Sequence, residues 1–146
     1  MSFTYKYPRP ALTVDSLIFF KDNSDIKILL IQRGNPPFKN SWAFPGGFVE
    51  MHETLKNAAS RELYEEAGVQ NIDLKQLYTF DAIDRDPRHR TISVVFYGFS
   101  KSLDIEIKAG DDAKNVAWYS LNNLPELAFD HKEILEFAIK KLRLNK

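Results

Sequence analysis

Gly47-Phe48-Val49-Glu50-Met51-His52-Glu53-Thr54-Leu55-Lys56-Asn57-Ala58-Ala59-Ser60-Arg61-Glu62-Leu63-Tyr64-Glu65-Glu66-Ala67-Gly68-Val69 carries the densest information in this chain. From about Thr54 to Ala67 its period is helical, with Leu55, Ala59, Leu63 and Ala67 spaced four apart and Gly68 placed as a C-terminal cap. Glu62 and Glu66 lie one helical turn apart and Glu65 flanks them, so three carboxylates crowd one part of one helix. Like charges at this spacing cost an isolated helix roughly 0.2 to 0.5 kcal/mol per pair, so something in the fold should compensate. A solvated acidic face is the bland reading of such a run. Against it, the carboxylates border the apolar stripe instead of opposing it, and they follow a Pro45-Gly46-Gly47 bend that can bring backbone carbonyls close. Hard oxygen donors in that arrangement suit Mg²⁺ or Mn²⁺, which are commonly completed by substrate phosphates.

Working outward, Ala11 to Phe20 and Ile26 to Ile31 are short runs rich in Ile, Leu, Val and Phe, separated by the polar turn Lys21-Asp22-Asn23-Ser24-Asp25. They read as a hairpin. Leu74 to Asp81 and Thr91 to Phe99 are two further β-like runs joined by the polar loop Asp84 to Arg90, and a strand is expected near Asn115 to Ser120. Ile134, Leu135, Ala138, Ile139 and Leu142 make a closing amphipathic helix. Strands around one central and one terminal helix predict an α/β fold, a mixed β-sheet with helices on both faces.

The chain has 146 residues, of which 44% are hydrophobic, the size of one compact domain, and a single domain over 1–146 is expected. Twenty basic and twenty acidic residues cancel, so nothing global points to nucleic acid or an anionic membrane. The absence of cysteine excludes a disulfide framework, a thiolate metal site and a cysteine nucleophile. No signal pattern opens the chain, and the apolar run Leu17 to Phe20 is far shorter than the roughly 20 residues of a spanning helix. A cytoplasmic protein without membrane or nucleic-acid partners is expected.

Gly47, five residues, Glu53, seven residues, then Arg61-Glu62-Leu63-Tyr64-Glu65-Glu66-Ala67-Gly68-Val69 resembles the box of the Nudix hydrolases at every defining position. The resemblance implies an α/β/α sandwich and a Mg²⁺-dependent hydrolase, with Mn²⁺ as the alternative ion. It implies that Glu62, Glu65, Glu66 and the Gly46 carbonyl bind metal, and that Glu53 and Arg61 support the box through an internal ion pair. A general base in many members comes from a loop before a Trp-containing strand. Asp112, six residues before Trp118, fits that place, with Asp111 next, although Gly110-Asp111-Asp112 also reads as a solvated turn. Glu65, Glu66 and Asp112 are thus the expected catalytic set.

Thr13-Val14-Asp15, Asn35-Pro36-Pro37-Phe38, Pro45 to Glu50 and Arg85-Asp86-Pro87-Arg88 resemble the ADP-ribose pyrophosphatase branch, which implies a small-molecule substrate, ADP-ribose, cut to AMP and ribose 5-phosphate. Arg33, Arg85 and Arg88 are candidate phosphate contacts, and Phe44, with Trp42 and Phe80, a candidate base-stacking surface. The alternatives are a nucleoside triphosphate pyrophosphohydrolase and a non-catalytic sensor of ADP-ribose. Regulators of the latter kind carry a DNA-binding domain, for which a chain ending at Lys146 leaves no room. His52, His89 and His131 lack metal-ligand spacing, and His131 is expected to begin the last helix without a catalytic part. The aromatic arm Phe3-Thr4-Tyr5-Lys6-Tyr7-Pro8 suggests contact with a second subunit in a homodimer.

Overall fold

A computed structural model describes residues 2–103, 109–110 and 113–144. The two apolar runs pair as an antiparallel hairpin of β1 (Ala11–Lys21) and β2 (Ile26–Arg33), each one or two residues longer than the apolar pattern suggests. β3 (Trp42–Ala43) and β4 (Gly46–Phe48) are short, followed by α1 (Leu55–Ala67), β5 (Lys75–Phe80), β6 (Thr91–Phe99), β7 (Ala113–Ser120) and α2 (His131–Lys141). One mixed sheet runs β3-β2-β1-β6-β5, with β4 also on β1 and β7 also on β2. β1 and β6 are parallel and the other pairings antiparallel.

Residues Val14 to Phe19 of β1 are buried without interruption because both faces of the sheet are covered. Val14, Ile18, Leu29, Ile31, Val94 and Phe96 face one core with Ala58, Ala59, Leu63 and Ala67 of α1. Leu17, Phe19, Ile28, Leu30 and Val95 face the other with Ile134, Leu135 and Ala138 of α2. This is the expected α/β/α layering.

The Gly68 cap of α1 acts as predicted, and Thr54, where the helical pattern begins, is its N-cap. Thr54 Oγ1 accepts from the Asn57 N–H at 3.1 Å, and Gly68 closes the helix at φ 73° with its N–H donated to the Tyr64 carbonyl. One expectation is corrected. The bend expected over Pro45-Gly46-Gly47 is confined to Pro45, and Gly46 and Gly47 belong to β4, antiparallel to β1 with Val14 opposite Gly47 and Asp15 opposite Gly46. Their lack of side chains serves close approach: a Cβ on Gly46 would strike the Val14 carbonyl and the Asp15 carboxylate, and one on Gly47 would strike the Glu62 carboxylate.

Candidate functional site

β4 carries its bare backbone past the inner side of α1, and that approach builds the head of a cavity of about 280 Å³. Gly46, Gly47, Glu62 and Glu66 line this end. Glu66 is 9% exposed, and its Oε1 accepts from the Gly46 N–H at 2.8 Å. Glu62 faces Gly47. The acidic residues that a helical wheel could only bring near one another are therefore fixed against a second backbone.

Arg61 supplies the compensation that the like charges require. Its Nε lies 2.9 Å from Glu53 Oε2 and its Nη2 2.6 Å from Glu53 Oε1, while Nη1 lies 3.0 Å from Glu65 and 3.3 Å from Glu62. Nη2 also donates to the Phe48 carbonyl at 3.1 Å, tying the helix to the end of β4. Hydrogen bonds from Arg61, then the Glu50 N–H, hold the Glu53 carboxyl down to about 2, and the same pairing raises the Arg61 guanidinium above its ordinary range. The ion pair expected of Glu53 and Arg61 is present. Glu65 turns outward to Arg61, and among the described residues no three acidic or histidine side chains come together as a metal-holding cluster. Asp111 and Asp112 lie outside the described residues; nearby, the Gly110 N–H donates to the Glu66 carbonyl at 3.3 Å.

The other walls carry Arg33, Phe44, Arg85, Arg88, Phe129 and His131. Arg33 Nε donates to the Pro37 carbonyl at 2.8 Å, and its guanidinium lies 5.0 Å from the centre of the Phe129 ring. The Arg88 guanidinium lies 5.7 Å from the Phe48 ring centre and 5.6 Å from that of Phe129, while pairing with Asp86 at 2.8 Å. Arg85 is buried and directs two nitrogens at Asp130, at 2.9 and 2.8 Å, so its fork clamps the loop after β5 to the start of α2. The polar stretch Asp84 to Arg90 is a loop, as expected, but Arg85 and Asp86 within it are buried. Phe44 is 2% exposed, with its ring stacked on His131 at 4.4 Å. Trp42 packs edge-on to Tyr119, and Phe80 packs against Phe137, away from the cavity lining. Phe48 and Phe129 are the aromatic residues of the lining that periodicity and motif missed; Phe129 adopts φ 53°, a backbone setting that an L residue rarely takes and that residue type does not announce.

Two buried groups at the floor were also missed as site residues. His131 begins α2, as expected, and its Nδ1 accepts from the Phe44 N–H at 3.2 Å. Asp15 Oδ2 accepts from Ser93 Oγ at 2.5 Å. A carboxylate inside an apolar strand was the available signal. Desolvation pushes Asp15 up to about 6, against the lowering by Ser93, and pushes His131 down to about 3. Their effects on acid stability are opposed. Below His131's ordinary 6.5 the unfolded chain takes a proton that the folded chain refuses until about 3, so stability falls with pH across that window. Between about 6 and 3.8 the folded chain takes a proton on Asp15 that the unfolded chain does not, so stability rises. His131→Asn should therefore lose less melting temperature than the parent between pH 6.5 and pH 4, read by circular dichroism; parallel curves would mean that the folded ring takes its proton in the same range as the unfolded one.

Residues 10–137 match the NUDIX domain family. The chain is 49% identical over 133 residues to the ADP-ribose pyrophosphatase of Methanocaldococcus jannaschii, covering 89% of this chain and 73% of that protein. It is 36% identical over 140 residues to the ADPR responsive transcriptional repressor NtrR of Acinetobacter baylyi, covering 93% of this chain but 56% of that protein. The NUDIX domain of Shewanella oneidensis NrtR, solved as a cocrystal with ADP ribose, superposes with a TM-score of 0.86 at 30% identity, over 93% of this chain and 90% of that one. With the box carboxylates drawn against β4 and the family match running from the start of β1 through α1 and into α2, the chain belongs to the Nudix family.

Proposed function

We propose that this Nudix chain hydrolyses ADP-ribose to AMP and ribose 5-phosphate with the help of a divalent cation, Mg²⁺ first and Mn²⁺ as a substitute. The observation that carries the reading is the cavity itself, with paired carboxylates against bare backbone at one end and guanidinium and aromatic groups along its walls. The 49% identity to an ADP-ribose pyrophosphatase supports the substrate.

The donor set fits a hard divalent ion. Glu62 and Glu66 offer carboxylate oxygens beside the Gly46 backbone, and Glu65 is one helical step away, held by Arg61. Such ions keep water and substrate oxygens in their shell, so a site that is not an all-protein cage suits them. When bound, the ion would neutralise diphosphate charge and lower the pKa of a bound water. The chain's own residues do the remainder. Glu62, Glu65, Glu66 and the Gly46 carbonyl hold the ion, and Asp112 takes the proton of the attacking water, with Glu65 and Glu66 completing the catalytic set. Arg33 and Arg88 offer charge to the phosphates, and Phe48 and Phe129 offer faces to a base. Arg85 acts by positioning: its clamp on Asp130 holds the loop that presents Arg88.

A sensor role has one observation in its favour, the 36% identity to an ADPR responsive repressor. The same cavity would serve it, and the complete set of Glu62, Glu65 and Glu66 weighs toward catalysis. We also place the protein in the cytoplasm, a setting its cysteine-free composition supports, and pair two copies through the arm in which Phe3 and Tyr7 stand 62% and 68% exposed. No helix among the described residues is long and apolar enough to cross a membrane. A mass that stays monomeric in light scattering over a wide concentration range would dispose of the homodimer.

The deciding assay incubates the protein and its Glu66→Gln variant with Mg²⁺ and a panel of ADP-ribose, nucleotide sugars and nucleoside triphosphates, with products separated by chromatography. AMP release should be fastest from ADP-ribose and fall about 100-fold or more in the variant, as expected when several kcal/mol of charge stabilisation are lost. Preferential release of diphosphate from a triphosphate would replace the substrate, and tight ADP-ribose binding without turnover would move the case to the sensor.

A further inference from the structure

Asp15 and His131 are buried polar groups that diphosphate chemistry leaves without employment. Asp15 shares strand parity with Leu17 and Phe19, so β1 turns it toward the α2 side of the sheet, where the first residue of α2 is His131. Both line the cavity, at 8% and 3% exposure. Asp15 Oδ2 is occupied by Ser93, whereas Oδ1 lies 3.9 Å from His131 Nε2, beyond hydrogen-bond reach. Because His131 Nδ1 accepts a backbone N–H, the single proton of the neutral ring sits on Nε2. The floor thus presents an acceptor and a donor side by side, separated by a gap neither closes.

Resting on the ADP-ribose reading, we propose that Asp15 Oδ1 and His131 Nε2 jointly hold one hydroxyl of the terminal ribose. A hydroxyl donates to the carboxylate and accepts from the imidazole at once. A phosphate oxygen in the same place would meet only repulsion from Asp15, and a carbonyl would leave that carboxylate unanswered. Position agrees with chemistry. Asp15 stands opposite Gly46 in the β1–β4 register, and Gly46 donates to Glu66, so the slot adjoins the end assigned to the diphosphate. The wide aromatic surface for a base is elsewhere, at Phe48, which is 44% exposed, and Phe129. That leaves the enclosed floor to the smaller, hydroxyl-rich end of the ligand. Asp15 and His131 are in this account specificity residues, reading the sugar rather than the phosphorus.

Titration calorimetry in Mg²⁺ buffer with the non-hydrolysable α,β-methylene analogue of ADP-ribose, and with its versions lacking single terminal-ribose hydroxyls, tests this by binding alone. One deoxy analogue should bind about 10- to 100-fold more weakly than the parent ligand, because its loss strands two buried polar groups, while the others stay within about threefold. His131→Asn keeps an acceptor for the Phe44 N–H and deletes the Nε2 donor. It should weaken the parent ligand by about tenfold, shrink the deoxy penalty, and leave α,β-methylene-ADP, which has no terminal ribose, unaffected. If every deoxy analogue binds like the parent, the slot is wrong although the ADP-ribose reading stands. If the parent ligand binds no better than α,β-methylene-ADP, the reading and the slot fall together. Should the variant not fold, the deoxy series on the unaltered protein decides alone.

Discussion

The structure depends on the distance of closest approach between α1 and a strand whose first two residues are glycines. Glu62 can close on the β4 backbone only because Gly47 presents nothing between, Gly46 can lie against Val14 and Asp15 for the same reason, and the Gly46 N–H fixes Glu66 in place. Crowding acids in this way has an electrostatic cost, and Arg61 offsets it. One guanidinium contacts Glu53, Glu62 and Glu65 while reaching the Phe48 carbonyl, so the cation that relieves the repulsion also ties helix to strand. Close approach and charge balance are one device here, built from residues that a single stretch of chain supplies.

From that device the cavity acquires two characters. Its head is acidic and backbone-rich, suited to a divalent ion and the phosphates that such an ion gathers. Its walls and floor are made by elements distant in sequence: the first half of β1, the loop between β5 and β6, and the first residue of α2. The Arg85–Asp130 clamp holds the second of these to the third, and burial makes that pair far more costly to break than a surface ion pair. The acidic head thus comes from one contiguous segment, and the rest of the cavity from long-range contacts.

That division explains what could be read in advance. The four-residue spacing of Leu55, Ala59, Leu63 and Ala67, with Thr54 and Gly68 at its ends, is a local signal, and α1 runs where it predicts. The hairpin of β1 and β2 was equally local, and so was the pairing of Arg61 with Glu53 inside the box. Gly46-Gly47 misled because paired glycines ordinarily punctuate turns, and a strand that needs them for clearance is visible only once β1 and α1 lie on either side. Arg85 was read as a phosphate contact, and nothing local announces its pairing with Asp130, 45 residues away, or the histidine that stacks on the Phe44 ring. Asp15 did leave a trace, a carboxylate at the start of a buried run, but its partner His131 belongs to the last helix.

The central claim, that the glycine strand exists so that the carboxylates can close on a metal-bound diphosphate, is tested most directly by Gly47→Ala. A Cβ there meets the Glu62 carboxylate, the mobile end of a long side chain, so the fold should survive while Glu62 is displaced. Mn²⁺ affinity measured by electron paramagnetic resonance should fall about tenfold or more, as for other disturbances of a metal site, with the circular dichroism spectrum unchanged. Undiminished Mn²⁺ binding in a folded Gly47→Ala protein would contradict the account, because the clearance at β4 would then have no bearing on the ion.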